Sequence, residues 1–345
     1  MQTSKTLTAA ALAAAILPVS AAAQDLTTVT MINPLPRSTI FYPLIAGEAL
    51  GYFEEEGIQV ELLPSETSIP YVAFVQNGQA DLAILDASET LSAVSADVAV
   101  EVIYEANQKA PEGIAVAAGS PVQSIEELAG TTVGLVTDRD RAFLAQALYA
   151  VGMSLDDVET VVVGEGGPTL AAAFQNQTVS AISGASSDWL ALQANGIEIR
   201  LITPEAVLLS PAGNFVISTD RKDEMREITE GFLRAWSKGA YVGELDREVL
   251  AEISRRAVPE EWESEEFGQN FLTASIEVTL PQTEQFGGLQ PQVWEGLQER
   301  LVATGALEEV VPVDSFLDDS FVGPANDWSR EEVAAEVQAW ADANM

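Results

Sequence analysis

The feature that most constrains this fold is alternation. From Leu26 to about Ile202, short runs rich in β-branched and aliphatic residues alternate with stretches of helical character. That is the pattern of a parallel-type sheet with helices packed on its faces. The pattern places strands at 28–32, 59–63, 82–85 and 98–106, with helices at about 38–50 and 69–77. Residues 107–112 carry Lys109 and Pro111 and no apolar periodicity, so they read as a crossover. A second α/β set follows, with strands at 114–118, 132–136, 159–163, 181–183 and 198–202. Its helices fall near 141–151, 169–176 and 188–195, and Ser124 with Glu127 forms a capping box for a shorter one. The Pro-containing segment 203–213 returns the chain to the first unit, where 214–218 supplies a strand. The remainder is helical. Met225, Ile228, Phe232 and Trp236 share one face, as do Trp294, Leu297 and Leu301. Gly305 suits a helix stop, and Ser329 with Glu332 caps a last helix bearing Val333, Val337 and Trp340. These aromatic stripes read as core.

A chain of 345 residues is too long for one ordinary domain. The expected division is an export signal at 1–23, a first lobe at 24–108 plus about 205–345, and a second lobe at 109–204. The signal reading rests on Lys5, the apolar run 7–19 and the Ala21-Ala22-Ala23 cleavage pattern. That run is well short of the roughly 20 residues that span a bilayer. A periplasmic protein is therefore expected.

Composition excludes much chemistry. With no cysteine there are no disulfides, thiolate nucleophiles or zinc–thiolate sites. Without histidine the commonest general base and transition-metal ligand are missing, and a Ser-His-Asp triad is impossible. Beyond the signal the only lysines are Lys109, Lys222 and Lys238, none in a Ser-x-x-Lys pattern. No cofactor, metal or catalytic residue is expected. A formal net charge of −37 repels nucleic acid and anionic lipid. The acids are scattered and read as a solvated surface.

Residues 45–62, IAGEALGYFEEEGIQVEL, resemble a recurring block of the periplasmic solute-binding proteins of ABC importers. The match is to the branch covering thiamine-pyrimidine precursors, sulfonates, taurine and nitrate. Gly51 permits the helix stop, Tyr52 and Phe53 pin the turn, and Gly57 releases the chain into a strand. Residues 74–83, FVQNGQADLA, look like the family's helix–Gly–Asp–strand element. Residues 172–181, AAFQNQTVSA, echo it with Ser180 where Asp is usual. Residues 127–134 and 232–239 are similar to the second-lobe entry and the C-terminal helix. The resemblance implies an α/β, two-lobed periplasmic binding protein fold of type II with a helical C-terminal region. It also implies a small-molecule ligand in the cleft, delivered to a membrane permease with a cytoplasmic ATPase, and the chain is expected to act as a monomer. The family also holds pyrimidine-synthase enzymes that use a histidine and a lysine-bound pyridoxal phosphate, which a chain without histidine does not match.

Ligands of open α/β sheets sit beyond the carboxyl ends of the strands. In the first loop, Asn33 is a candidate contact. Arg37 either clamps an anion or offsets local acids, and Phe41 and Tyr42 either stack on a ring or face the core. Thr67 follows the second strand, and Asp86 and Ser88 the third. In the second lobe, Thr137 and Arg139 open a helix, with an ion-paired surface as the alternative for Arg139. Glu165, Gly166, Gly167 and Thr169 form either a polar cradle or a tight turn. Ser186, Asp188 and Trp189 open a further helix, with Trp189 either cleft wall or core. Glu105 is one more carboxylate able to accept from a ring amine. Acids outnumber bases in these loops, which favours a nitrogen heterocycle of the thiamine-pyrimidine type. The alternatives are a sulfonate, taurine or another small organic anion, and a ligand-sensing role on the same fold or a non-catalytic relative of the synthases. An extracytoplasmic enzyme is disfavoured by the missing histidine and cysteine.

Overall fold

The computed structural model describes residues 26–35, 37–64 and 70–345. The expected signal segment and Thr67 lie outside the described residues. Ten strands form two five-stranded sheets among them. They are β1 Thr27–Ile32, β2 Ile58–Leu62, β3 Leu82–Leu85, β4 Val100–Asn107, β5 Glu112–Ala117, β6 Thr132–Leu135, β7 Glu159–Val162, β8 Ala181–Ala185, β9 Ile199–Leu201 and β10 Gly213–Ser218. Each lies within two or three residues of the position read from the sequence.

The first sheet runs β2-β1-β3-β10-β4 and the second β7-β6-β8-β5-β9. The expectation of parallel sheets is corrected here, because both are mixed. Strands β1, β2 and β3 are parallel, but β10 is antiparallel to β3 and β4. Likewise β6 is parallel to β7 and β8, while β5 is antiparallel to β8 and β9. The cause is the pair of crossings. Strand β4 leaves the first sheet at its carboxyl edge and enters the second at that sheet's carboxyl edge, so β5 must run against its neighbours. The return from β9 imposes the same reversal on β10. The two crossings run side by side, with Ala110 N–H donating to Leu208 O at 2.8 Å and Ala212 N–H to Asn107 O at 2.9 Å.

Alternation along each strand splits its side chains between two cores. In the first sheet, Met31, Ile84, Ile103 and Phe215 face a core containing Phe53, Phe232 and Trp236. Their neighbours Ile32, Leu85, Val102 and Val216 face a second core around Trp294, Leu297 and Phe316. Ile114, Val133 and Leu135 build one face of the second sheet, and Ala115 and Ile182 the other, where Leu192 packs from a helix. The Gly-Asp element acts as a clasp. Asp81 accepts from Thr30 N at 2.9 Å and Thr30 Oγ1 at 2.8 Å and pairs with Arg221 at 3.0 Å, locking β1 to β3.

The principal helices are α1 Tyr42–Leu50, α2 Tyr71–Gln76, α3 Ala87–Ser95, α4 Asp140–Tyr149, α5 Gly167–Gln175, α6 Ser186–Ala194, α7 Lys222–Leu245, α8 Arg247–Ala257, α9 Glu265–Thr279, α10 Pro291–Ala303 and α11 Arg330–Asn344. Helix α1 ends where Gly51 turns left-handed at φ 81°. Phe232 and Trp236 of α7 are buried beside Phe215, whose ring meets Trp236 edge-on at 4.8 Å, whereas Met225 and Ile228 are half-buried. Ser124 opens a short 3-10 turn at Ile125–Leu128 without a capping bond of its own to the backbone, so the expected helix is only that turn. From the first sheet's side, α9 reaches α6 and α10 reaches α4, so C-terminal helices touch the second sheet's helices at two places.

Candidate functional site

The carboxyl edges of the two sheets face one another, and between them lies a cavity of about 640 Å³. Asp86, Ala87 and Ser88 at the start of α3 line it from the first sheet, with Leu297 of α10. Arg139, Asp140, Phe143 and Gln146 line it from α4, and the two crossings supply Ala110 to Glu112 and Val207 with Ser210 to Ala212. Two helix N-termini therefore converge on one space, each carrying an acid at its start. Asp86 caps α3 by accepting from Glu89 N at 2.7 Å. Asp140 accepts from Thr137 N at 2.6 Å and Thr137 Oγ1 at 3.0 Å.

The lining is acidic. Glu112 opens β5 beneath the cavity, and its carboxyl pKa is raised, first by burial and then by the charges of Asp86 and Asp140. Asp188, expected as a contact, does not line the cavity; it accepts from Ala185 N at 2.8 Å, and its carboxyl pKa is raised by burial, with Asp140 and Glu165 adding repulsion. Against these stands Arg139, exposed, with no hydrogen-bond or ion-pair partner for its guanidinium among the described residues. The three lining acids, Asp86, Glu112 and Asp140, with Arg139 as the lining cation, make a site that receives hydrogen-bond donors readily.

Of the residues expected from sequence, Asp86, Ser88 and Arg139 line this cavity. Thr137 reaches it through Asp140, and Ser186 Oγ donates to Pro111 O at 3.1 Å on the outgoing crossing. Several others are placed elsewhere. Arg37 makes a two-pronged pair with Glu48 of α1, so its charge is already answered. Phe41 and Tyr42 are buried in the core of the first sheet, where the Tyr42 hydroxyl donates to Ala240 O at 2.9 Å. Trp189 packs in the second sheet's core against Leu192 and Ile182. Glu165, Gly166 and Thr169 are exposed around the start of α5 and do not line the cavity. Gly167 serves packing, since a Cβ there would sit 2.6 Å from Ala191 O on α6. Asn33 is buried at the end of β1, and its Nδ2 has no partner among the described residues. Glu105 is a structural acid: buried in β4, it accepts from Gln290 N and Gln290 Nε2 at 2.9 Å and from Trp294 Nε1 at 2.8 Å.

Sequence reasoning missed Glu112, Asp140, Phe143, Gln146, Ser210 and Leu297 as lining residues. For the crossing residues a signal existed. Any segment that joins two sheets at their carboxyl edges must run along the cleft between them. Leu297 carried none, because its helix reaches the cavity from nearly 200 residues beyond the strands it covers.

The NMT1/THI5-like family model matches residues 38–242. The riboflavin-binding protein RibY of Chloroflexus aurantiacus is 24% identical over 299 residues, covering 82% of each chain. Among solved structures, the periplasmic aliphatic sulphonate binding protein SsuA from Escherichia coli superposes with a TM-score of 0.64 at 14% identity, over 88% of this chain and 92% of that one. The desulfurization enzyme DSZB superposes with a TM-score of 0.59 at 16% identity, over 86% and 98%. These likenesses are of fold, which binding proteins and an enzyme share. Two mixed sheets joined by paired crossings around a cavity, together with a family match over more than half its length, identify the chain as a member of the NMT1/THI5-like family with the periplasmic binding protein fold.

Proposed function

We propose that this protein is an extracytoplasmic solute-binding protein that closes two lobes, 24–108 with about 205–345 and 109–204, around a small molecule. It then delivers that molecule to an ABC permease served by a cytoplasmic ATPase. The observation that carries the reading is the cavity of about 640 Å³, lined by both sheets' helices and by both crossings. Its size is in the range of small-molecule sites, and its walls stand on elements that move relative to each other when two lobes hinge. The ligand class that suits the lining is a nitrogen heterocycle of the thiamine-pyrimidine type, whose ring and exocyclic N–H groups would donate to Asp86, Glu112 and Asp140. RibY, named for riboflavin, is a relative whose ligand is also a nitrogen heterocycle. The second reading is a small organic anion such as a sulfonate, favoured by the unpaired Arg139 and by the sulphonate-binding neighbour. The protein acts without chemical turnover in either reading.

The test is a thermal-shift screen of the purified protein against thiamine-pyrimidine precursors, riboflavin, sulfonates, taurine, nitrate and aromatic acids. A ligand at 100 times its dissociation constant adds about 2.7 kcal/mol to the folded state. A shift confined to one heterocycle class, with the compound recovered unchanged, supports the reading. A shift for sulfonates alone selects the second reading, and consumption of the compound overturns the non-catalytic role.

A further inference from the structure

A charge buried without a countercharge is among the costliest features a fold can hold, and Arg300 is one. It lies on the inner face of α10 at 7% exposure. The one hydrogen bond of its guanidinium among the described residues is from Nη2 to Ser210 Oγ at 3.1 Å, and Nε has no partner. Burial lowers its pKa, and the acid whose charge reaches it, Glu299, is on the exposed side of the same helix. In a chain with 53 acids to choose from, a lack of available carboxylates does not explain the missing partner.

Its position supplies a reason. Ser210 lines the cavity from the return crossing, and Leu297 lines it one turn before Arg300 on the same face of α10. The guanidinium thus stands directly behind the cavity wall. Because Ser210 Oγ accepts from Arg300, its own proton is left to donate into the cavity, with a positive charge behind it. We propose that Ser210 and Arg300 form an anion-anchoring subsite at this end of the cavity, taking a phosphate, carboxylate or sulfonate group of the ligand. The carboxylates of Asp86, Glu112 and Asp140 line the same cavity, so the ligand is bipolar: a donor-bearing ring with an anionic substituent. This inference rests on the cleft reading above and adds the ligand's second recognition element. Ser210 touches the anion, and Arg300 acts through it as a positioning residue.

The experiment is titration calorimetry with matched neutral and anionic probes: 4-amino-5-hydroxymethyl-2-methylpyrimidine against its monophosphate, riboflavin against riboflavin 5′-phosphate, and taurine as a sulfonate-bearing zwitterion without a ring. The expected result is at least tenfold tighter binding of one phosphorylated form than of its neutral parent. In Arg300→Gln and Ser210→Ala that preference falls below about twofold, because binding of the phosphorylated form weakens far more than that of the neutral parent. The melting temperature of ligand-free Arg300→Gln stays level or rises, since the substitution removes an unpaired buried charge. Equal binding of neutral and anionic forms by the wild type, or a preference that survives both variants, overturns the subsite while leaving the cleft reading intact. A steep loss of stability in Arg300→Gln with Ser210→Ala unaltered in binding assigns Arg300 a structural role and overturns it as well. Binding of taurine alone, lost in both variants, upholds the anion anchor and overturns the ring. No binding of any probe by the wild type overturns both readings together.

Discussion

Replacing Glu105 with leucine tests how the C-terminal helices are held to the sheet that carries the cavity. The carboxylate is buried in β4 and anchors Gln290 and Trp294 at the start of α10, the helix that bears Leu297. Leucine leaves Gln290 N and Trp294 Nε1 without an acceptor, whereas the Gln290 amide, half-buried, can swing to water. Each orphaned buried donor costs about 1–3 kcal/mol. Burial raises the Glu105 pKa, so removing the charge returns part of that cost. The net expectation is a loss of about 3 kcal/mol, or roughly 4 °C in melting temperature for a chain of this size. Glu105→Gln should lose about 1 kcal/mol or less. Its carbonyl can keep the two buried donors while Gln290 turns its own oxygen toward the new amide. The sign of the pH dependence also follows. A carboxyl whose folded pKa lies above its unfolded value favours folding more as it protonates. Wild-type stability attributable to Glu105 therefore falls as pH rises from the ordinary carboxylate range through the raised folded value, and Glu105→Gln lacks that slope. Thermal unfolding followed by tryptophan fluorescence between pH 4 and 8 reads both effects. A leucine variant as stable as wild type, or a glutamine variant as damaged as leucine, refutes the reasoning.

Three further outcomes are expected. Arg37→Ala, which breaks a half-exposed pair with Glu48, should cost no more than about 1 kcal/mol and leave ligand affinity unchanged even for an anion; a tenfold loss in calorimetry would return Arg37 to the site. Gly167→Ala forces a Cβ against the Ala191 carbonyl and should cost about 1–3 kcal/mol in urea unfolding with binding intact; an unchanged midpoint would show that α5 and α6 can separate freely. Glu112→Gln removes a carboxyl whose pKa is raised by burial, Asp86 and Asp140. The ligand-free protein should gain stability above the ordinary carboxylate range while affinity for a donor-bearing ring falls about tenfold, and tighter binding of such a ring would contradict the assignment.

The strands were legible because β-branched alternation is a local signal: Met31 with Ile32, and Phe215 with Val216, declare two buried faces without reference to anything distant. Strand direction was not legible, since the reversal of β5 and β10 follows from where the crossings attach. The site divided along the same line. Asp86 and Arg139 open helices after strands, which the carboxyl-edge rule selects. Tyr42 follows a strand too, but its ring turns to α7 and its hydroxyl to Ala240, a choice made by packing some 200 residues away. Trp189 was lost to the core through a nearer contact, its ring lying against Gly184 of the strand that leads into its own helix. Arg300 sits in a helix whose stripe reads as plain core. Only the lack of an ion-pairing acid for it among the described residues makes the residue informative.

The central claim is that one ligand is held by both lobes at once. Hydrogen–deuterium exchange of the full protein, with and without the best compound of the screen, tests it most directly. The expected result is new protection at the start of α3 around 86–88, along α4 at 139–146, and in both crossings at 110–112 and 207–212, with the outer strands β2 and β7 unchanged. Protection limited to one lobe, or centred away from the crossings, would contradict it.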